Sequence, residues 1–280
     1  MALGNSDIWL AATTLLGAAV GLLAAGRFVG RRATERRIAG ALAGAVAALL
    51  VFAMAGTDRL FWAQLAPYSG VVVWGNALLP GVAFAAGLLL SPSLKAIHGP
   101  RQRLIAGSLL LCGVAQAVRP FLGDVRRTSD VPVALWQSAV CPQTSEATCS
   151  AASAATLLAA NDIPATETEM ARLCLTRPEG TLMLGAYRGL RLKTVGTSRT
   201  VRIFGNISVA ELREATHKNP VLISVGIDVW QRGRIDPRYE SLWGWTPGKR
   251  HAVVLFGFLP NGNSTSATRR SGASSGVRKP

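Results

Sequence analysis

Four apolar runs separated by short polar links fill residues 1–122. Residues 8–26, 38–56 and 60–94 contain no Asp, Glu, Lys or Arg, and a fourth uncharged run, 104–118, lies between Arg103 and Arg119. A helical bilayer crossing takes about 20 apolar residues, so the first two runs are each of spanning length. In the third, the crossing is expected over residues 71–90, kinked at Pro80, because a proline ring removes a helix hydrogen bond. The fourth reaches spanning length only if Arg119 snorkels and residues 120–122 join it. The pattern predicts about four transmembrane helices, with three as the alternative. A secretory signal is not expected, since no Lys or Arg precedes the first run.

Residues 123–136 read as a connector with Pro132 and mixed charge, and the pattern then becomes that of a soluble domain. A small-residue run at 150–160 predicts a buried helix that stops near Asn161, Asp162 and Pro164. Thr166 with Glu169 makes a capping box for a helix to Cys174, and Ser208 with Glu211 another for a helix to His217. Between them, Pro178 to Gly180 form a turn, residues 181–192 a third helix and residues 201–204 a short strand. Residues 220–227 and 252–258 are apolar strands on either side of a long loop carrying Trp230, Trp243 and Trp245. That loop either lines a cleft or packs on the core. Helices first and strands later indicate an α+β domain.

The net charge of +15 would suit a nucleic-acid partner, but its placement argues otherwise. Arg27, Arg31, Arg32, Arg36 and Arg37 share the first link, Lys95, Arg101 and Arg103 the third, and four more basic residues the last dozen positions. No basic stripe interleaved with aromatic residues emerges, so no nucleic acid is expected as a partner. The second link holds only Arg59, so the excess of Lys and Arg makes links one and three cytoplasmic. Four spans then leave the soluble domain extracytoplasmic; three leave it inside. No pair of opposite charges lies within the spans, which favours an anchor in the lipid bilayer over a transport path.

The chemistry gathers at Gln143 and Cys149, six residues apart, the cysteine opening the buried helix. A helix start offers free N–H groups and a favourable dipole to a thiolate, and an upstream glutamine amide can donate to an oxyanion. The base has to come from elsewhere, and His251 precedes the last apolar strand. His217 sits at a helix end, where it complements the dipole, and His98 lies in a link. Of four cysteines, Cys112 is expected to pack in an apolar segment, and Cys141 with Cys174 either form a disulfide outside the cytoplasm or stay as thiols. No zinc-like spacing and no cofactor motif occurs.

Together these residues resemble the bacteriocin-processing cysteine peptidases, papain-like enzymes that cut leader peptides after a double glycine. The likeness covers about residues 137–262: the Gln143 to Cys149 gap, the stretch from Leu158 to Thr181, and His251 with the strand after it. It implies an α-helical membrane region, 1–122, followed by an α+β papain-like cysteine peptidase domain. Cys149 would be the nucleophile, His251 the general base and acid, and Gln143 the oxyanion donor. A bacterial cytoplasmic membrane, a peptide or protein substrate and a separate exporter are implied too, for no phosphate-binding loop is present. Ser150 and Thr148 replace the glycine and aspartate usual beside the cysteine. No acidic residue follows His251 to orient its ring, and Asn261 and Asn263 come too early for a strand to return. The tail, residues 263–280, reads as a basic disordered segment, or as a frameshift whose other frame holds Gly-Asp-Pro near Ala267 and Thr268. An enzyme impaired by the missing partner is one consequence. A catalytically inactive peptide-binding module and a membrane sensor or scaffold are the alternatives.

Overall fold

The computed structural model describes residues 6–94, 99–118, 132–133, 136, 139–205, 207–231, 233–234, 236–238 and 245–258, with the backbone of 264–267 and 269–270. The chain is a mixed helix and sheet protein that divides into two compact units, Met1–Leu122 and Gly123–Pro280.

The first unit is helical: α1 (Ser6–Arg32), α2 (Glu35–Val51) running on into a π-helical turn (Phe52–Gly56), α3 (Phe61–Leu65), α4 (Val71–Trp74), α5 (Leu79–Leu89) and α6 (Pro100–Val118). Among the described residues, α1 and the segment Glu35–Gly56 are the two helices long and apolar enough to cross a membrane. Both present large apolar side chains outward, Trp9, Leu16 and Val20 on one and Val46, Leu50 and Met54 on the other. Water would penalise so much exposed apolar surface.

The continuous crossing expected over residues 71–90 is instead two helices, α4 and α5, separated by residues 75–78. Pro80 lies in the first turn of α5 and starts that helix rather than kinking a longer one, because the missing proline N–H costs nothing there. With 11 residues, α5 is roughly 16 Å long, about half the hydrocarbon thickness of a bilayer. Glutamines of α6 meet the backbone groups at both of its ends. At one end the Leu78 N–H donates to Gln116 Oε1 at 3.0 Å, and Gln116 Nε2 donates to the Asn76 carbonyl. At the other, Gln102 Nε2 donates to the carbonyls of Leu89 and, at 3.0 Å, Ser91. Broken helix is tolerated at membrane depth only when protein groups satisfy its backbone in this way. Gly26 of α1 and Gly87 of α5 bring the two backbones together, since a Cβ on either would collide with the other helix. Cys112, expected to pack, is exposed on α6.

In the second unit, β1 (Pro142–Gln143) is followed by α7 (Cys149–Ala159), α8 (Glu167–Leu173), α9 (Met183–Thr194) and α10 (Val209–Lys218). The strands β2 (Val221–Gly226), β3 (Arg250–Phe258) and β4 (Ser264–Ala267) form an antiparallel sheet in that order. The box at Ser208 and Glu211 is reciprocal as expected, whereas at Thr166 only half of it forms: Thr166 accepts from the Glu169 N–H, and the Glu169 carboxylate pairs with Lys193 instead. The helical core is Ala151, Ala152, Ala154, Ala155 and Leu158 of α7 against Met170 and Cys174. Close packing of α9 on the end of α8 depends on two glycines. A Cβ on Gly185 would overlap the Cys174 carbonyl, and one on Gly189 would overlap Cys174 Sγ.

Two expectations for this unit change. Residues 201–204 are irregular rather than a strand: Val201 packs on the core, but no described strand lies beside it, and a β-prone composition without a partner ladder does not make a strand. The tail, expected to be a basic disordered segment or a frameshifted stretch, has two strands among its described residues. β4 returns along β3 with Val254 opposite Ala267, and β5 (Arg269–Arg270) pairs in parallel with β1, Gln143 opposite Arg270. Ladder hydrogen bonds use backbone groups, so a Ser- and Thr-rich stretch can pair without apolar side chains.

Candidate active site

The segment from Cys141 to Cys149 is tied down along its length. The Cys141 N–H donates to Thr156 Oγ1 on α7 at 3.0 Å, and the Thr144 N–H to both carboxylate oxygens of Glu167 on α8, at 2.9 and 3.2 Å. Thr148 Oγ1 donates to the Ser145 carbonyl at 2.8 Å. Three donors converge on that carbonyl: Thr148 Oγ1, the Thr148 N–H and Gln143 Nε2. A carbonyl oxygen has two lone pairs, so these three bonds compete.

Cys149 is the first residue of α7, with Thr148 at the N-cap, and is 9% exposed. Its position at the helix start follows from the run CSAASAATLL, whose small side chains let the whole first turn be buried. Gln143 is buried in β1, and its amide donates to Ser145 at 2.5 Å. His251 lies in β3 opposite Val225 of β2, with its Nε2 atom buried.

Helix α7 packs against β3, and one bond sets where. Ser153 Oγ donates to the Ala252 carbonyl at 2.9 Å, with both residues buried. Residues four apart on a helix stand about 5–6 Å apart at Cβ. Cys149 is therefore one helical turn from a side chain bonded to the neighbour of His251. The three site residues read from the sequence thus lie on elements that pack together: Gln143 in β1 and His251 in β3, both against α7, which Cys149 opens.

Two further residues join them. Trp245 stacks on the His251 ring, centroids 5.7 Å apart and planes within 10°, which limits the orientations the imidazole can adopt. No acidic residue downstream of His251 is there to orient its ring, whereas this indole, from the Trp-rich loop, lies upstream. Trp230 of that loop is 86% exposed and so does not pack on the core, while Trp243, Asn261, Asn263 and His98 lie outside the described residues. His217 occupies the last turn of α10.

Glu167 is the second residue that sequence reasoning passed over. Two acids share the first turn of α8: Glu169 reaches Lys193 at 3.0 Å, whereas Glu167 is 2% exposed and holds the Thr144 N–H. The capping box gave a complete reason for Glu169 and none for its neighbour. Glu167→Ala would remove the carboxylate that the part-buried Thr144 N–H donates to, a loss of about 1.5–3 kcal/mol for a hydrogen bond to a charged group. Thermal unfolding should show that loss, with Glu167→Gln, which keeps one acceptor oxygen, losing about half as much.

Cys141 and Cys174 are not joined in a disulfide, and both are buried. Burial pushes the Cys174 thiol up to about 12, against smaller lowering effects of Arg188 and a hydrogen bond from the Gly189 N–H. Arg188 is itself buried and donates to the Leu173 carbonyl at 2.6 Å, at the C-terminal end of α8, where the helix dipole favours a cation. Among the described residues no group of three His, Cys, Asp or Glu side chains is placed to hold a metal ion. Comparison with family models, curated proteins and solved structures finds no match to this chain.

Proposed function

We propose that the protein is a membrane-anchored, multi-pass cysteine peptidase of the papain-like, leader-processing type. The observation that carries the reading is the Ser153 to Ala252 hydrogen bond, which fastens α7, one turn beyond Cys149, to the strand containing His251. A thiolate paired with an imidazolium is the reactive form of such a site.

In this mechanism Cys149 Sγ attacks the carbonyl carbon of the scissile peptide bond, and the carbonyl oxygen takes up the negative charge. Gln143 Nε2, one of three donors crowded on the Ser145 carbonyl, turns part of its hydrogen bonding to that oxyanion at small cost. His251 gives its proton to the leaving amine, then takes one from the water that releases the acyl group from sulfur. Stacking on Trp245 supports the ring plane through both transfers. The lipid bilayer holds the first unit, and the substrate is a peptide or protein.

The test is the alkylation rate of Cys149 against pH, read by mass spectrometry so that exposed Cys112 is counted separately. Cys174, with its thiol near 12, serves as the unreactive internal control. Wild type should react faster than His251→Ala at about pH 6, the two curves converging at alkaline pH. Superimposable curves would remove the catalytic reading.

A further inference from the structure

The first unit contains an open cavity of about 620 Å³ lined by Arg27, Arg31, Leu90, Pro92, Gln102 and Arg103. Three of these six residues are arginines and none is acidic. Among the described residues, no ion pair engages any of the three. Arg27 and Arg31 are four apart on α1 and share a face, where like charges repel. Arg103 lies in the first turn of α6, the end of a helix where the macrodipole disfavours a cation and favours an anion. Arg31 by itself has a bland explanation, since a cation in the last turn of α1 complements that helix's dipole. For Arg103 the dipole argument runs the other way, so only its place in a basic link accounts for it.

The cavity is also shaped by the fold. Gln102 is buried, and its amide holds the carbonyls of Leu89 and Ser91, which closes the end of α5 beside Leu90 and Pro92. Gly30 lets α1 approach Ser91 closely, which holds Arg27 and Arg31 at that edge. The arginines thus converge on a space bounded by a satisfied backbone rather than waving from a loop. The volume falls within the range of small-molecule sites, roughly 300–1,000 Å³.

We infer that this cavity is a binding site for a phosphate-bearing anion. Guanidinium forks match phosphate oxygens in geometry, and the N-terminal N–H groups of α6 add partial positive charge. Two sources share that chemistry: the headgroup of an acidic phospholipid, and free phosphate or a small phosphate ester. The lipid source rests on the reading of α1 and α2 as membrane spans; the phosphate source does not.

The experiment compares the full chain with Arg27→Gln/Arg31→Gln/Arg103→Gln and with Arg32→Gln/Arg36→Gln/Arg37→Gln, which removes equal charge outside the cavity. Each is placed in phosphatidylcholine vesicles with and without 20 mol% phosphatidylglycerol, and retained lipid and thermal unfolding are read. A parallel arm in detergent titrates inorganic phosphate. A basic residue near the surface is worth about a fivefold factor in affinity for an acidic lipid, a loss the two variants share, so the bidentate contacts of the cavity arginines should make the cavity variant bind about tenfold more weakly again than the control variant. Protection by phosphatidylglycerol alone assigns the site to lipid; protection by phosphate in detergent assigns it to a soluble anion. Equal behaviour of the cavity and control variants in both arms overturns the site. Should the chain fail to enter vesicles, the membrane reading falls and the phosphate arm alone decides.

Discussion

Replacing His251 with alanine is expected to slow hydrolysis of a Gly-Gly leader peptide by about 10²–10⁴-fold, the usual worth of a positioned acid and base. Cys149→Ala should remove turnover altogether, because no other described thiol stands at a helix start: Cys141 is buried ahead of β1 and Cys174 is buried at the end of α8. Trp245→Ala should fall between wild type and His251→Ala, since it frees the imidazole ring while leaving both reacting atoms in place. The measurement is the initial rate of leader-peptide cleavage by the purified full chain in lipid or detergent. Residual full activity in Cys149→Ala would end the peptidase proposal.

Gly185→Ala should destabilise the second unit by about 2–3 kcal/mol, the cost of forcing an atom into a packed contact. A Cβ at this position meets a backbone carbonyl, that of Cys174, which cannot swing aside as a flexible side chain would. For a unit of this size that loss lowers the unfolding midpoint by roughly 5–10 °C. Gly44→Ala on α2, where a Cβ meets nothing within 4 Å, is the control and should leave the midpoint unchanged or raise it. An unaltered midpoint for Gly185→Ala would show that α8 and α9 are not packed as described.

Local signals in the sequence reached the helices of the second unit closely. The caps at Thr166 and Ser208 are made by residues within three positions of each other, so both helix starts fall where the sequence puts them, even though Lys193 draws the Glu169 carboxylate away from the first. They failed where an element depends on a remote partner. Residues 201–204 have strand composition but no neighbouring strand, while the polar run 264–267 lacks strand composition and pairs with β3 through its backbone. In the first unit, an uncharged run of spanning length at 71–90 concealed a break, because Gln102 and Gln116, which make that break tolerable, lie on a different helix.

The candidate site divides the same way. Gln143, Cys149 and His251 stand out as candidates in the sequence because each has a reactive group in a telling local setting. Glu167 and Trp245 were not, since a carboxylate in a first turn and an indole in a loop acquire their roles only from what they touch.

By itself, then, the chain's sequence determines the apolar runs, the capped helices and the residue types able to do thiol chemistry, all properties of neighbours along the backbone. Tertiary structure alone decides that Ser153 meets Ala252, that Glu167 grips Thr144, and that Arg27, Arg31 and Arg103 share one cavity. Each of these brings together residues from separate elements, and close packing of whole helices and strands selects them, a condition that no short window of sequence carries.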